Sequence, residues 1–376
     1  MKKEILIIAG ETSGDMHAAA VVSAINSITS DFFFSGIGGD ELKKNGADLI
    51  YHSKRMSFLG FIEVLRHLPF IKKVKRDILN LVKERNIKYA LLIDYPGFNL
   101  SIAKELKNLN VKIVYFISPQ VWAWGKKRVS KIKRLVDKML VILPFESEFY
   151  RNSGINAEYV GHPLIERING YQFLSKDEFF GKFGLARDKQ ILLIQPGSRK
   201  QEIKKLFPVL YQAGLKIAKE NNLQIVVNCA SGINSSIFNS LVNSSEFKII
   251  EGHTYETIKY AKMGIIKSGT STLEAGLLGL PMIIVYKTNL LTYLIGRTLV
   301  ELKNIGLINI VANETIVPEL IQHDVTVENL VELSNKIINN ISYRNEMLNK
   351  LSLVKEKLGN VITSEKVARI LIKEFA

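Results

Sequence analysis

The sequence of 376 residues contains one cysteine, two tryptophans and no long apolar run. The single cysteine, Cys229, is typical of a protein that folds in a reducing compartment without disulfide bonds. No stretch approaches the roughly 18 uncharged apolar residues that a membrane-spanning helix needs. Near the N-terminus, Glu11 and Asp15 follow the short apolar run Ile5–Ala9, so this run does not predict a secretion signal. We therefore expect a cytoplasmic protein that does not cross a membrane.

Metal-binding patterns are absent from the sequence as well. No Asp-x-Asp occurs, the six histidines are scattered, and no cluster of His, Cys and carboxylate residues has metal-ligand spacing. We therefore expect no metal and no cofactor. A diphosphate ligand would then have to be neutralised by helix N-termini and arginine side chains.

The chain carries a net charge of +15, and the basic excess of its first half is concentrated in two clusters. A basic surface suits nucleic acid, an anionic membrane or a phosphorylated substrate, and it can also be a solvated face with no partner. Charge alone does not choose among these interpretations. One basic cluster contains Arg66, Lys72, Lys73, Lys75 and Arg76, and the other contains Lys126, Lys127, Arg128, Lys131, Lys133, Arg134 and Lys138.

Short apolar strands alternate with helical segments along both halves of the chain, which predicts an α/β fold with two parallel sheets. The polar segment Glu166–Asp188 is predicted to be an irregular linker, and Tyr343–Phe375 an amphipathic helix that packs back on the first domain. Strands are predicted at Glu4–Ala9, Phe32–Gly36, Tyr89–Ile93, Lys112–Ile117, Met139–Leu143, Ile191–Gln195, Gln224–Asn228, Lys248–Ile250, Met263–Lys267 and Met282–Val285. Helices are predicted at Met16–Ile28, Phe70–Glu84, Ile102–Leu109, Lys200–Glu220, Tyr255–Ala261, Thr270–Leu278 and Val327–Asn340.

Two turns in the second half have the composition of phosphate-binding sites. Gln195–Arg199 lies between a predicted strand and a helix N-terminus, where backbone N–H groups and Arg199 can bind phosphoryl oxygens. Ser268–Ala275 also opens a helix, and Glu274 can hold a ribose diol. A plain capping box explains the second segment equally well when it is taken alone. Two such turns at one edge of one sheet favour a nucleotide site.

Two segments in the first half place polar residues at the carboxyl ends of strands. Asp94 directly follows a predicted strand and precedes a Pro-Gly turn, which suits a general base, although aspartate there is also a common helix cap. Gly10–Asp15 offers glycines, hydroxyls and a carboxylate for sugar hydroxyls, or a capped turn. Further along, Met56–Arg76 combines apolar, aromatic and basic residues, which suits either core packing or a membrane or acyl-chain contact.

Taken together, these segments resemble the lipid-A-disaccharide synthase family of GT-B glycosyltransferases over essentially the full chain. The stretch Ser118–Trp124 (SPQVWAW) is highly specific, whereas the glycine-rich turns are shared by other GT-B enzymes. The other matching segments are Ala9–Asp15, Gly36–Gly39, Met56–Leu65, Asp94–Asn99, Leu143–Glu146, Gly161–Leu164, Pro196–Arg199, Ser268–Ala275 and Val317–Leu320.

The resemblance implies transfer of 2,3-diacylglucosamine from its UDP donor to the 6-hydroxyl of 2,3-diacylglucosamine 1-phosphate, giving a β-1,6-linked disaccharide and UDP. It implies two Rossmann-like domains whose parallel sheets face a central cleft. Residues 1–165 form the acceptor and membrane-facing domain, 166–342 the UDP-sugar domain, and 343–376 the returning helix. The expected partners are the two lipid substrates and the inner-membrane surface, where the enzyme binds peripherally, and no nucleic acid; a homodimer is left open.

The expected site residues fall into four groups by role. Asp94 is the catalytic base and Arg199 stabilises the departing diphosphate; Gly197, Ser198, Arg199, Ser268, Gly269, Thr270, Thr272, Glu274 and Glu319 bind the donor. Glu11, Ser13, Gly14, Asp15, His17 and Gln120 line the acceptor side, and Phe58, Leu59, Phe61, Ile62, Leu65, Lys72 and Lys73 contact membrane or acyl chains.

Three alternatives stay open from the residues alone. The first is another GT-B enzyme acting on UDP-sugars, such as a lipid II-forming transferase or a UDP-sugar epimerase. The second is a nucleic-acid-binding protein, which would leave both predicted phosphate turns without a role. The third is a non-catalytic scaffold at a membrane.

Overall fold

The structure, a computed structural model, describes residues 2–56, 67–123, 125, 128–242, 246–289 and 303–375. The chain divides into two compact units, Met1–Glu166 with Asn360–Ala376, and Arg167–Gly359. Each unit is built on one parallel sheet with helices, so the predicted α/β fold with two parallel sheets is confirmed.

The first unit contains a seven-stranded sheet in the order β3-β2-β1-β4-β5-β6-β7. Its strands are β1 Lys3–Ala9, β2 Phe32–Gly38, β3 Asp48–His52, β4 Tyr89–Ile93, β5 Lys112–Phe116, β6 Lys138–Val141 and β7 Ala157–Tyr159. Its helices are α1 Thr12–Ile28, α2 Asp40–Lys44, α3 Leu68–Glu84, α4 Pro96–Asn108, α5 Val129–Leu135, α6 Pro144–Asn152 and α7 Pro163–Asn169, which runs across the boundary.

The second unit contains a six-stranded sheet in the order β10-β9-β8-β11-β12-β13. Its strands are β8 Gln190–Gln195, β9 Leu223–Cys229, β10 Phe247–Glu251, β11 Ala261–Lys267, β12 Met282–Tyr286 and β13 Glu319–Ile321. Its helices are α8 Lys176–Phe183, α9 Lys200–Asn221, α10 Ser236–Ser240, α11 Thr254–Tyr260, α12 Thr270–Leu277, α13 Leu307–Ala312, α14 Val327–Asn339 and α15 Ile341–Leu358. The last helix of the chain, α16 Thr363–Phe375, belongs to the first unit.

The central strands are apolar along their length because helices cover both faces of a parallel sheet. In β1, every side chain from Ile5 to Ala9 is fully buried. Its odd-numbered residues join one core cluster with α1 and α16, and its even-numbered residues join another with α3 and α4. This continuous burial explains why the sequence identifies the central strands.

The strand order reverses between β1 and β4 in the first sheet and between β8 and β11 in the second. At such a switch point, the connections leave the two neighbouring strands toward opposite faces and open a crevice at their carboxyl ends. The registers pair Ala9 with Ile93, and Gln195 with Ile266. The four segments singled out in the sequence therefore emerge in pairs, each pair at one switch point.

The structure differs from the predicted elements at the sheet edges, in the linker and in the short helices α2, α5, α6, α10 and α13, which were not predicted. The short strands β3, β7 and β13 were not predicted. Each lies at the edge of its sheet, pairs with a single strand and lacks a continuous apolar run. The predicted irregular linker Glu166–Asp188 is wrong in part, since it contains α8, which a Ser175–Glu178 capping box begins. The first helix begins at Thr12 rather than Met16, and α4 begins at Pro96 rather than Ile102.

The C-terminal segment contains two helices that belong to different units, so the prediction that Tyr343–Phe375 is one helix on the first domain is wrong for all but the last helix. The helix α15 packs against α12 and α13 of the second unit, whereas α16 packs against α1 of the first unit. Phe375, the last residue of α16, is fully buried and its ring lies 4.9 Å from that of Tyr89. Lys112 and Lys138 pair with Glu374 beside it.

Among the described residues, no helix is both long and apolar enough to cross a membrane. The same ranges hold no group of three or more His, Cys, Asp or Glu side chains arranged to bind a metal ion.

We expect Phe375→Ala to lower the free energy of unfolding by about 3–5 kcal/mol, because it removes a fully buried aromatic ring from the core of the first unit. Urea unfolding of the purified chain measures this loss. Arg369→Ala, an exposed position on the same helix, is the matched control and should change stability by less than about 0.5 kcal/mol. Equal stability of the two variants would show that α16 contributes little to the unit.

Candidate active site

Asp94 and Tyr95 form an unusual strand-to-helix turn at the end of β4. Both residues have positive φ angles, 45° and 46°, a conformation that non-glycine residues rarely adopt and that costs about 1–2 kcal/mol each. Two buried groups hold the turn: the Asn99 side-chain amide donates to the carbonyls of Ile93 and Asp94, and the Tyr115 hydroxyl donates to the carbonyl of Asp94. Asn99 and Tyr115 therefore fix the backbone of Asp94, whereas its side chain is only partly buried.

The Asp94 carboxyl group has a raised pKa of about 6. Burial is the main cause, and the negative charge of Glu11 adds to it; a hydrogen bond from the Tyr95 backbone opposes the shift. Glu11 is itself exposed at the end of β1. The first switch point thus holds two neighbouring carboxyl groups, one of which ionises close to neutral pH.

The glycine at the end of β1 is explained by this turn. A Cβ atom at Gly10 would overlap the ring of Tyr95, whose hydroxyl donates a 2.7 Å hydrogen bond to the carbonyl of Met56. The motifs that contain Gly10 and Asp94 are therefore packed against each other. Any side chain at position 10 would clash with the Tyr95 ring unless that ring moved.

Asp15, predicted on the acceptor side, caps a neighbouring helix instead of facing outward. It is buried inside α1 and accepts hydrogen bonds from the backbone N–H groups of Gly39, Glu41 and Leu42 at 2.6, 3.1 and 3.1 Å. A Cβ atom at Gly39 would overlap its carboxylate. Both Asp15 oxygens are thus used at the N-terminus of α2, whereas the alternative drawn from the sequence was a capped turn directly after β1.

The other acceptor-side residues lie around the same edge of the first sheet. Ser13 is exposed in the first turn of α1, Gly14 is buried against Ala9, and Gln120 is exposed. The His17 ring lies edge-on to Phe116 at 6.4 Å. His162, which the sequence analysis did not select, is buried nearby, and its pKa falls to about 4 because of burial and the charge of His17.

The described part of the specific motif, Ser118–Ala123, is joined to Leu143–Glu146 by a buried carboxylate, and Trp124 lies outside the described residues. Glu146 accepts hydrogen bonds from the Ser118 hydroxyl at 2.6 Å, from the Trp122 indole at 2.9 Å and from the Leu143 backbone at 3.0 Å. Burial raises the pKa of Glu146, and these three hydrogen bonds oppose the shift. Glu146 therefore fixes the loop that exposes Gln120.

Five of the predicted membrane or acyl contacts, Phe58, Leu59, Phe61, Ile62 and Leu65, lie outside the described residues. Lys72 and Lys73 are described and are both exposed on α3. Leu68, at the start of the same helix, is 40% exposed although it is a large apolar side chain.

In the second unit, the turn after β8 gathers charged side chains around one carboxylate. Glu202 accepts a 3.3 Å hydrogen bond from the Ser198 backbone, forms a 2.9 Å ion pair with Lys267, and lies 3.6 Å from Arg199. Gly197 has a φ of 120°, and a Cβ atom there would overlap Glu202. The Glu202 carboxylate, from the first turn of α9, therefore already contacts the turn that the sequence predicted to bind phosphate.

Lys267 is a cation that the sequence analysis missed at this turn. It is the last residue of β11, and its side chain is 19% exposed against 65% for Arg199. The pairing of β8 with β11 brings it beside the turn, and no local pattern in the sequence reveals this proximity.

The segment after β11 uses some of its hydroxyl groups internally. The Ser268 hydroxyl donates to the carbonyl of Ile305, and the buried Thr272 hydroxyl accepts from the Leu307 backbone. Gly269 and Thr270 remain exposed at the N-terminus of α12. The polar surface offered to a ligand is thus the exposed helix start, positioned by the two buried hydroxyls.

Glu274 and Glu319 have different surroundings. The Tyr255 hydroxyl donates to Glu274 at 3.3 Å, and burial raises the Glu274 pKa although Arg167 opposes the shift. Glu319 accepts from the backbones of Ile305 and Gly306 and from the Asn309 amide, so it fixes the segment beside α12. Tyr255 and Arg167, which contact each other through a cation–π interaction, were not selected from the sequence.

Comparison with known proteins identifies relatives over nearly the whole chain. The model of the family described as lipid-A-disaccharide synthetase matches residues 5–371. A lipid-A-disaccharide synthase from Myxococcus xanthus is 39% identical over 327 residues, covering 86% of this chain and 85% of the relative. One from Geobacter sulfurreducens is 36% identical over 372 residues, covering 98% and 96%.

Solved structures with the same fold are more distant in sequence. The UDP-GlcNAc 2-epimerase from Neisseria meningitidis aligns with a TM-score of 0.69 at 12% identity, covering 99% of this chain and 100% of that one. The glycotransferase of kitacinnamycin aligns with a TM-score of 0.63 at 11% identity, covering all of both chains. At these identities the likeness shows the GT-B fold alone.

We expect Asp15→Ala to lower the free energy of unfolding by about 2–4 kcal/mol, because three backbone N–H groups at the start of α2 lose their acceptor. Urea unfolding measures the change. Glu11→Ala, an exposed carboxylate four residues earlier, should leave stability within about 0.5 kcal/mol of the parent chain. An unchanged unfolding midpoint in Asp15→Ala would contradict its role as a cap.

Proposed function

Because the chain belongs to the lipid-A-disaccharide synthetase family and is a hexosyltransferase of lipid A biosynthesis, we propose that it transfers sugar in one inverting displacement with Asp94 as base. The donor is UDP-2,3-diacylglucosamine and the acceptor is 2,3-diacylglucosamine 1-phosphate. The products are the β-1,6-linked disaccharide 1-phosphate and UDP.

The observation that carries this proposal is the Asp94 turn. A general base works best when its pKa lies near the working pH, and the Asp94 pKa of about 6 meets this condition. Asn99 and Tyr115 hold the backbone from which the carboxylate extends, so its position is fixed before substrate binds. Inversion needs one base and no covalent intermediate, which a single such carboxylate satisfies.

In the reaction, Asp94 removes the proton from the acceptor 6-hydroxyl as the oxygen attacks the anomeric carbon. The bond to the UDP oxygen breaks as the new glycosidic bond forms, so positive charge develops on the sugar ring and negative charge on the departing diphosphate. Cationic groups and helix N-termini that are already in place stabilise this developing charge.

The second unit binds the donor through the two turns at its switch point. Arg199, the Ser198 backbone and the exposed start of α12 at Gly269 and Thr270 bind the diphosphate, and Glu274 binds the ribose diol. Gly197 shapes the first turn and leaves the space that Glu202 occupies, while Ser268, Thr272 and Glu319 hold the surrounding backbone. When the donor binds, its diphosphate replaces Glu202 as the partner of Lys267 and of the Ser198 N–H group.

The first unit binds the acceptor and meets the membrane. Glu11, Ser13, His17 and Gln120 border the edge where Asp94 lies, and they bind the acceptor sugar and its phosphate. Lys72 and Lys73, both exposed on α3, attract an anionic lipid surface, and the exposed Leu68 adds apolar contact. We assign the enzyme to the cytoplasmic face of the inner membrane as a peripheral protein.

The activity is tested by incubating the purified chain with both diacylated substrates and analysing lipid and nucleotide products. We expect one UDP per disaccharide and a β linkage by NMR.

Asp94→Ala should lower turnover by at least about 100-fold, because the general base is lost. In the parent chain, kcat/KM should fall about tenfold per pH unit below about pH 6, because protonation of Asp94 removes the base.

The control for Asp94→Ala is Asp188→Ala, an exposed aspartate in the second unit, which should retain full turnover. Urea unfolding confirms that each variant is folded. Near-normal turnover in folded Asp94→Ala, or a flat pH profile between pH 5 and pH 7, would rule out Asp94 as the base.

Arg199→Ala should weaken UDP binding about tenfold or more and also lower kcat, since a charge-assisted contact to the leaving diphosphate is lost. Isothermal titration with UDP and steady-state kinetics measure the two effects. Arg187→Ala removes an exposed arginine elsewhere in the unit and should change neither. Unaltered UDP affinity in Arg199→Ala would exclude this turn as the diphosphate site.

A further inference from the structure

The second unit has a cavity at the amino ends of its strands, the edge opposite the donor turns. Gln190 opens β8, Ala261 and Lys262 open β11, and Pro281 precedes β12, and all four line the cavity. Its volume is about 230 Å³. The other lining residues are Lys176, Phe180, Tyr260, Gly279, Arg344 and Leu348.

Three cationic side chains line this cavity, and no carboxylate does. Lys176 lies on α8, Lys262 on β11 and Arg344 on α15, so three separate elements each contribute one positive charge. The ion pairs found among the described residues of the second unit involve other side chains. None of the three therefore has an ion-pair partner within the part of the unit that the structure describes, although Lys176 is exposed and its ammonium lies 5.3 Å from the centre of the Phe180 ring.

One of these cations has a buried polar atom without a partner. The Nε atom of Arg344 is buried and has no hydrogen-bond acceptor among the described residues. Burial, and after it the charge of Arg344, lowers the pKa of Lys262, so these two cations lie close enough to interact. A buried N–H group without an acceptor destabilises the folded unit, and one bound anion would supply that acceptor and offset the two like charges.

We propose that this cavity is an anion site that takes a small phosphate-type group. Guanidinium and ammonium groups from three directions suit the tetrahedral oxygens of a phosphate, with Arg344 donating from its otherwise unpaired Nε. The volume lies below the about 300–1,000 Å³ of sites for drug-sized ligands, so it suits a phosphate with a few waters rather than a nucleotide sugar. The site is separate from the donor turns, which lie at the carboxyl ends of the same strands.

The test is isothermal titration of the full chain with inorganic phosphate, with UDP present at saturation so that the donor turns are occupied. Ionic strength is held constant with chloride. We expect one phosphate per chain. Arg344→Gln and Lys262→Gln should each weaken phosphate binding about tenfold or more, while UDP affinity and basal turnover remain those of the parent.

The matched control is Lys216→Gln, which removes an exposed lysine from the same unit outside the cavity and should bind phosphate as the parent does. Unfolding curves for each variant establish that the unit is folded. Absence of phosphate binding in the presence of UDP would overturn the proposal, and so would equal affinity in the parent, Arg344→Gln and Lys262→Gln.

The same phosphate chemistry can come from a free ion or from a lipid headgroup, and vesicle sedimentation distinguishes the two. Vesicles of phosphatidylcholine with and without phosphatidic acid are the probes. If Arg344→Gln lowers binding to the phosphatidic acid vesicles as well as to inorganic phosphate, the site takes a headgroup. If it lowers only the binding of inorganic phosphate, the site takes a soluble phosphate.

Discussion

The structure of the first unit depends on a turn in which Asp94 and Tyr95 both adopt a left-handed backbone directly after a central strand. Two residues in this conformation cost about 2–4 kcal/mol together, so the surrounding contacts must offset that amount. The Asn99 amide and the Tyr115 hydroxyl donate hydrogen bonds to the carbonyl of Asp94, and Gly10 leaves the space that the Tyr95 ring fills. The result is a carboxyl group held at the end of a rigid sheet, close enough to Glu11 and buried enough to ionise near neutral pH.

Three acidic residues in the characteristic motifs have structural contacts, and this separates them from Asp94. Asp15 caps α2, Glu146 joins two loops, and Glu319 holds the backbone beside α12. Each is satisfied by donors of its own unit. Glu202 is intermediate, because its ion pair with Lys267 and its contact to Ser198 occupy groups that also suit a phosphate. A motif therefore contains both the residues that react and the residues that fix the geometry.

The sequence predicted the central strands and the positions of the four polar segments, since residues buried on both faces form continuous apolar runs. Of the four edge strands it predicted only β10, and it missed β3, β7 and β13, which have partial burial and only three to five residues. It placed Asp15 and Glu319 on the ligand side, whereas both have backbone partners that no local pattern indicates, 24 to 27 positions away for Asp15 and 13 to 14 positions away for Glu319. Lys267, Tyr115 and His162 were missed for the same reason, because strand order rather than local pattern brings them to the site. The Ser175–Glu178 capping box and the prolines that begin α4 and α6 were overlooked local signals.

The central claim is that the Asp94 carboxyl group ionises near neutral pH in the folded chain. Titration of the chain labelled with ¹³C at aspartate carboxyl groups, followed by NMR and assigned with Asp94→Asn, measures this directly. The structure predicts that the Asp94 resonance titrates with a pKa of about 6. A midpoint near the ordinary aspartate value of about 3.9 would contradict the account, because a carboxylate of that basicity has not been tuned for proton abstraction.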